Sequence, residues 1–133
     1  MDKLIVLCAM IFLHIIADFN LQRDLSMYKQ KSWWEENYPQ EIYKYDYITA
    51  IFIHSFEWTF MIHIPIIVFY MYHSITLDLI HTIGITILFV INVGIHAWID
   101  NEKANRGSIS LTIDQMSHLI YIVLTFYIDC SFI

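Results

Sequence analysis

Helix-breaking residues are scarce in this chain, which has only 3 glycines and 2 prolines in 133 residues. That scarcity suits long uninterrupted helices. Charge is scarce too: Asp, Glu, Lys and Arg make up 15%, where soluble domains carry roughly a quarter. With 58% hydrophobic residues and a positive mean hydropathy, a soluble domain of this length could not hide its apolar surface. Basic residues are the rarer sign, 7 against 13 acidic ones, for a formal charge of −6. No basic stripe is available to neutralise phosphates, which excludes nucleic acid as the main partner. The two cysteines, Cys8 and Cys130, form no CxxC or other ligand spacing. They are expected as buried or lipid-facing thiols in apolar segments near the two ends.

What is abundant is apolar sequence, in four stretches: Leu4–Leu21, Tyr47–Tyr72, Leu77–Ile99 and Leu111–Phe132. Each runs about 18–25 residues, the length that crosses a hydrocarbon core of about 30 Å at 1.5 Å per residue. Ile, Leu, Val and Phe dominate, a composition that a bilayer accepts as helix. The first stretch follows Lys3 and could pass for a signal peptide. It contains His14 and Asp18 and lacks a small-residue cleavage site, so it is expected to be a retained helix. The fold expectation is a single all-α domain over 1–133, an integral membrane four-helix bundle.

The connections differ in length. His73–Thr76 is short enough to make the second and third helices antiparallel neighbours, and Asn101–Ser110 is a polar turn containing Gly107. Gln22–Asp46 is the one long loop. Its Trp33, Trp34, Tyr38, Tyr43 and Tyr45 lie among charges, as in a segment at the lipid headgroup level. Arg23, Lys29, Lys31 and Lys44 fall in this first loop, and Lys103 and Arg106 in the third. Lys3 alone stands on the other side. The bias places loops one and three in the cytoplasm and both termini outside.

Ionisable residues inside such helices are costly and ask for a reason. Here they come in pairs: His14 with Asp18, His54 with Glu57, His96 with Asp100, and Asp114 with His118. Offsets of three or four place both members on one helix face. Antiparallel connectivity then brings all four pairs to the same end of the bundle, the end that the Lys and Arg count assigns to the cytoplasm. Imidazole and carboxylate suit zinc first, with iron or manganese as alternatives, and eight such ligands could hold one or two ions. Gln22 and Gln115 flank the pairs and could hydrogen-bond a ligand. Lys103 follows Asp100 by three; it either binds a phosphate or carboxylate of a substrate or marks the membrane boundary. Taken singly, each pair also reads as a hydrogen bond between helices or a residue at a helix end near water, and Asp114 as part of an N-terminal cap. His63 reads as a packing or hydrogen-bonding residue. His73, Asp78 and His81 read as solvated interfacial residues, with a second external site as the alternative.

The run His14-Ile-Ile-Ala-Asp18-Phe-Asn-Leu-Gln22, then His54, then His96-Ala-Trp-Ile-Asp100-Asn-Glu-Lys103, then Asp114-Gln115-Met-Ser-His118 resembles a family of small bacterial and phage membrane proteins. That family is known as domain of unknown function 3307, with the pattern HxxxDFxxQ, a His-rich second helix, HxxxDxxK and DQxxH. Glu57 stands about where the family often has a second histidine, a departure that bears on metal preference and on that residue's role. The family brings no activity with it. A looser likeness of layout to membrane-bound metal-dependent hydrolases makes metal-assisted hydrolysis the first functional expectation, by analogy. In that reading the ion activates water, Glu57 or Asp18 moves the proton, and the substrate is a membrane lipid or lipid-linked ester or phosphate. The alternatives are a non-enzymatic membrane protein, conducting metal or protons or acting for a phage on a host membrane, and a purely structural network of polar pairs. Association with a second copy is a further expectation.

Overall fold

The computed structural model describes residues 2–131, and among them the chain is helical with no strand. Helix α1 (Lys3–Ile15) starts at Asp2, whose side chain accepts from the Leu4 amide at 3.0 Å, the bond expected of an acidic N-cap. It continues as a π-helical turn over Ile16–Leu21. Then come α2 (Leu25–Tyr28), α3 (Lys31–Asn37) and a 3-10 turn (Glu41–Tyr43). The long helices α4 (Asp46–Tyr72), α5 (Leu79–Asn101) and α6 (Leu111–Ser131) complete the fold. Among the described residues, four helical stretches are long and apolar enough to cross a membrane: Lys3–Leu21, Glu41–Tyr72, Leu79–Arg106 and Leu111–Asp129.

Two expectations need correction. The long first loop is not evident, because 22–46 folds into short helices and turns. Asn105 pins that segment down by accepting from the Lys31 amide at 2.7 Å and donating to the Lys29 carbonyl at 3.0 Å. The expected polar turn after the third stretch begins later, because α5 runs into a π-helical turn over Glu102–Arg106. Gly107, at φ 61°, supplies the left-handed residue that ends it. The expected end of the last helix at Phe132 lies outside the described residues, as does the side chain of Cys130. Cys8 is exposed on α1.

Helix α4 is the centre of the bundle. Its buried positions recur at three- and four-residue steps (His54, Trp58, Ile62, Ile66, Phe69), so one stripe faces α1, α5 and α6. Val6 and Met10 of α1, Ala17 of the π-helical turn that follows it and Ile122 of α6 close that core. The outward faces are apolar instead of polar: Phe12, Phe52, Phe60, Ile87, Val90 and Ile120 are all exposed. An exterior this apolar is consistent with a membrane protein. Polar groups turn inward. Midway along α5 and α6, buried Asn92 and Thr125 exchange hydrogen bonds of 2.9 and 3.2 Å. One turn further, the Asp129 carboxyl is buried without a hydrogen-bond partner.

Candidate metal centre

Six of the paired residues, Asp18, His54, His96, Asp100, Asp114 and His118, meet at one end of the bundle. Asp18, placed by the π-helical turn that prolongs α1, lies at the middle of the group. Its Oδ1 is 3.2 Å from His54 Nε2 and 4.0 Å from His96 Nε2, and its Oδ2 is 3.9 Å from His118 Nε2. Asp100 Oδ2 lies 3.6 Å from His96 Nε2 and 3.7 Å from His54 Nε2. Asp114 Oδ1 lies 3.4 Å from His118 Nε2. Four of the six residues, His54, His96, His118 and Asp114, are at most 1% exposed.

These spacings can be compared with what an ion demands. Ligand atoms about 2.0–2.1 Å from a common tetrahedral ion stand roughly 3.4 Å from each other. The separations of 3.2–4.0 Å bracket that value. Three overlapping sets have ligand atoms within 4.8 Å of one another: Asp18, His54 and His96; His96, Asp100 and His118; and Asp18, Asp114 and His118. The overlap fits either one ion or two adjacent ones. His96 Nε2, His118 Nε2 and Asp114 Oδ1 are buried with no hydrogen-bond partner. Buried polar atoms are almost always paired, so orphans that converge on one spot fit a site for a cation.

Other polar groups hold the carboxylates. Gln115 donates to Asp18 Oδ2 at 2.9 Å and to Asp114 Oδ2 at 3.0 Å. Lys103 donates to Asp114 at 2.6 Å, so it reaches across to α6 instead of serving Asp100 beside it. Lys29 fills that place, donating to Asp100 at 2.7 Å while only 6% exposed. Gln22, with its amide oxygen turned toward Lys29, accepts from that ammonium and donates to the Asp18 carbonyl at 2.7 Å. Both amides suspected from the sequence therefore belong to the network.

His14 and Glu57 are not in the convergent sets. His14 is buried beside the centre, 3.9 Å from Asp18, but its Nδ1 accepts from Trp58 Nε1 at 2.8 Å, which occupies that lone pair. Glu57 is half-buried on α4, and its side chain makes no hydrogen bond or ion pair among the described residues. Trp58 had no place in the sequence reasoning, yet its ring stacks on His96 at 4.3 Å, and His96 stacks on His118 at 4.3 Å. The signal was present, since Trp58 follows His54 by four and a buried indole N–H needs an acceptor. Lys29 had no comparable signal.

At the far end, Asp78 caps α5, accepting from the His81 amide at 2.8 Å and pairing with its ring at 2.7 Å. No convergent ligand set forms there among the described residues. His63 is buried, and its Nδ1 bonds the Thr59 carbonyl at 2.7 Å. No family model, curated protein or solved structure matches the chain.

Proposed function

We propose that this chain is an integral membrane protein carrying a divalent metal centre, and that it is a hydrolase acting on a lipid or lipid-linked substrate. The observation that carries the metal reading is the convergence of three imidazole Nε2 atoms and three carboxylates inside an apolar bundle, several of them orphaned. A donor set of imidazole and carboxylate favours zinc, with iron and manganese next. A bound ion would supply Lewis acidity and activation of water at neutral pH. The chain's own groups do the rest. Asp18 Oδ1 lies 3.2 Å from His54 Nε2 and can exchange a proton with that ring, while Asp114 Oδ1 is buried without a hydrogen bond. Trp58 and the apolar core beneath it keep bulk water out from below.

The chain would sit in a bacterial cytoplasmic membrane, with both termini outside and the metal end facing the cytoplasm. The bias of Lys and Arg supports this orientation, and the sequence resemblance to the bacterial and phage family supports the setting. A non-enzymatic reading, conduction of protons or metal, draws support from Asn92, Thr125 and Asp129, which extend buried polar groups along α5 and α6. Elemental analysis of the detergent-purified protein tests the metal, run for wild type, His54→Ala and His118→Ala. One or two equivalents of a transition metal in the wild type, lost in both variants, is expected. No metal in the wild type after supply of zinc, iron and manganese would sink the hydrolase and leave the cluster as a proton path or a link between helices.

A further inference from the structure

Beside the metal centre, at the same end of the bundle, lies a polar cavity of about 350 Å³ lined by Gln22, Ser26, Lys29, Gln30, Asp100 and Lys103. Its size falls at the small end of the range for small-molecule sites, roughly 300–1,000 Å³. It shares a wall with the centre, because Asp100 belongs to both. Both of its cations are tied to the centre, Lys29 to Asp100 and Lys103 to Asp114.

The charges decide what this cavity can receive. Asp18, Asp100 and Asp114 contribute −3 and the two lysines +2, leaving −1. One divalent ion turns that into +1, and two turn it into +3. Buried surplus charge is expensive, so a loaded centre calls for an anion. The carboxylates that the ammoniums now neutralise would be drawn toward the ion, leaving the lysine donors to the newcomer. A phosphate group brings a charge near −2 and three acceptor oxygens. The Ser26 hydroxyl is spent on the Arg23 carbonyl at 2.8 Å. The two ammoniums and the second N–H of the Gln22 and Gln30 amides, whose first goes to the Asp18 and Ser26 carbonyls, still offer donors for all three oxygens, more than the two of a carboxylate would use.

We propose that this cavity binds the phosphate group of the substrate, with Lys29 and Lys103 as its cationic partners. The inference rests on the metal reading above and narrows its substrate to a phosphate ester. The test is calorimetric titration of inorganic phosphate into zinc-loaded protein, freed of unbound zinc, and into chelator-treated protein. Lys29→Gln, Lys103→Gln and the charge-keeping Lys103→Arg are run in parallel, with zinc content measured on every sample.

Saturable binding of phosphate to the loaded wild type is expected. It should weaken by about 10–100-fold in each Gln variant with zinc retained, the scale of one lost hydrogen bond to a charged group, and persist in Lys103→Arg. Competition with dihexanoyl phosphatidate separates the sources. Displacement by the lipid at lower concentration than phosphate itself assigns the site to a lipid headgroup, and failure to displace assigns it to a soluble phosphate. Loaded wild type that binds no phosphate overturns the proposal, as does unchanged affinity in both Gln variants. Loss of zinc from the Gln variants also overturns it, since the lysines would then be counterions of the ligands. A wild type that takes up no zinc fails at the first measurement, which identifies the metal reading as the error.

Discussion

Replacing Asp18 by Asn tests the centre at its middle. The change keeps the shape of the side chain and removes one negative charge from a carboxylate that approaches His54, His96 and His118 at 3.2–4.0 Å. It also turns an acceptor toward becoming a donor where Gln115 donates at 2.9 Å. Asp18 belongs to two of the three convergent ligand sets, so metal affinity should fall by at least about 10–100-fold, the cost of losing even an outlying partner of a metal ligand. Zinc at 100 times the wild-type Kd stabilises the wild type by about 2.7 kcal/mol; in the variant the same zinc is only 1–10 times Kd and gives about 0.4–1.4 kcal/mol. For a chain of 133 residues, 1 kcal/mol corresponds to roughly 3–5 °C in Tm. Zinc should therefore raise the apparent Tm by about 8–13 °C in the wild type and by about 1–7 °C in Asp18→Asn. The assay is a thermal melt in detergent with and without zinc, paired with zinc content. An unchanged zinc-induced shift in Asp18→Asn would refute the placement of the ion beside Asp18.

Trp58→Phe removes the 2.8 Å hydrogen bond to His14 Nδ1 and leaves a buried ring nitrogen unpaired, at a cost of about 1–3 kcal/mol. The apparent Tm should drop while metal stoichiometry holds, because His14 is outside the convergent sets; loss of metal would instead make Trp58 and His14 part of the centre. Thr125→Val strands the Asn92 amide, at a cost of roughly 0.6–1.7 kcal/mol. Adding Asn92→Leu should recover part of that loss, so strictly additive melting shifts would show that the pair does not couple.

The sequence made the centre legible through helical periodicity. His96 with Asp100 and Asp114 with His118 share faces because four residues advance about 400°, only about 40° past a full turn. Their common level follows from antiparallel helices joined by short connections. The same arithmetic explains why Glu57 stands apart. Relative to His54, Trp58 lies about 40° round the helix toward the buried stripe and Glu57 about 60° round it the other way. An offset of three points to the right face only when the stripe lies on that side. The π-helical turns at Asp18 and Lys103 were illegible, because neither Ile16–Leu21 nor Glu102–Arg106 contains a glycine or proline to mark a change of winding.

Lys29 is the deeper lesson, since its role depends on contacts that no local pattern contains. Counted by sign, it is one more basic residue of the first connection. Its ammonium reaches Asp100, 71 positions away, where Asn105, in the π-helical turn after α5, holds the Lys29 carbonyl and the Lys31 amide. The folded first connection thus does what the four long helices cannot. They gather ligands at one level, but the ligands alone carry −3. Lys29 from the connection and Lys103 from the π-helical turn bring that to −1, so the cluster can be buried without an ion and would become cationic on binding a divalent one. A bundle that only needed to be held together would be better served by apolar residues at these positions. Near-neutral when empty and positive when loaded is a balance suited to a site that admits a cation first and an anion second.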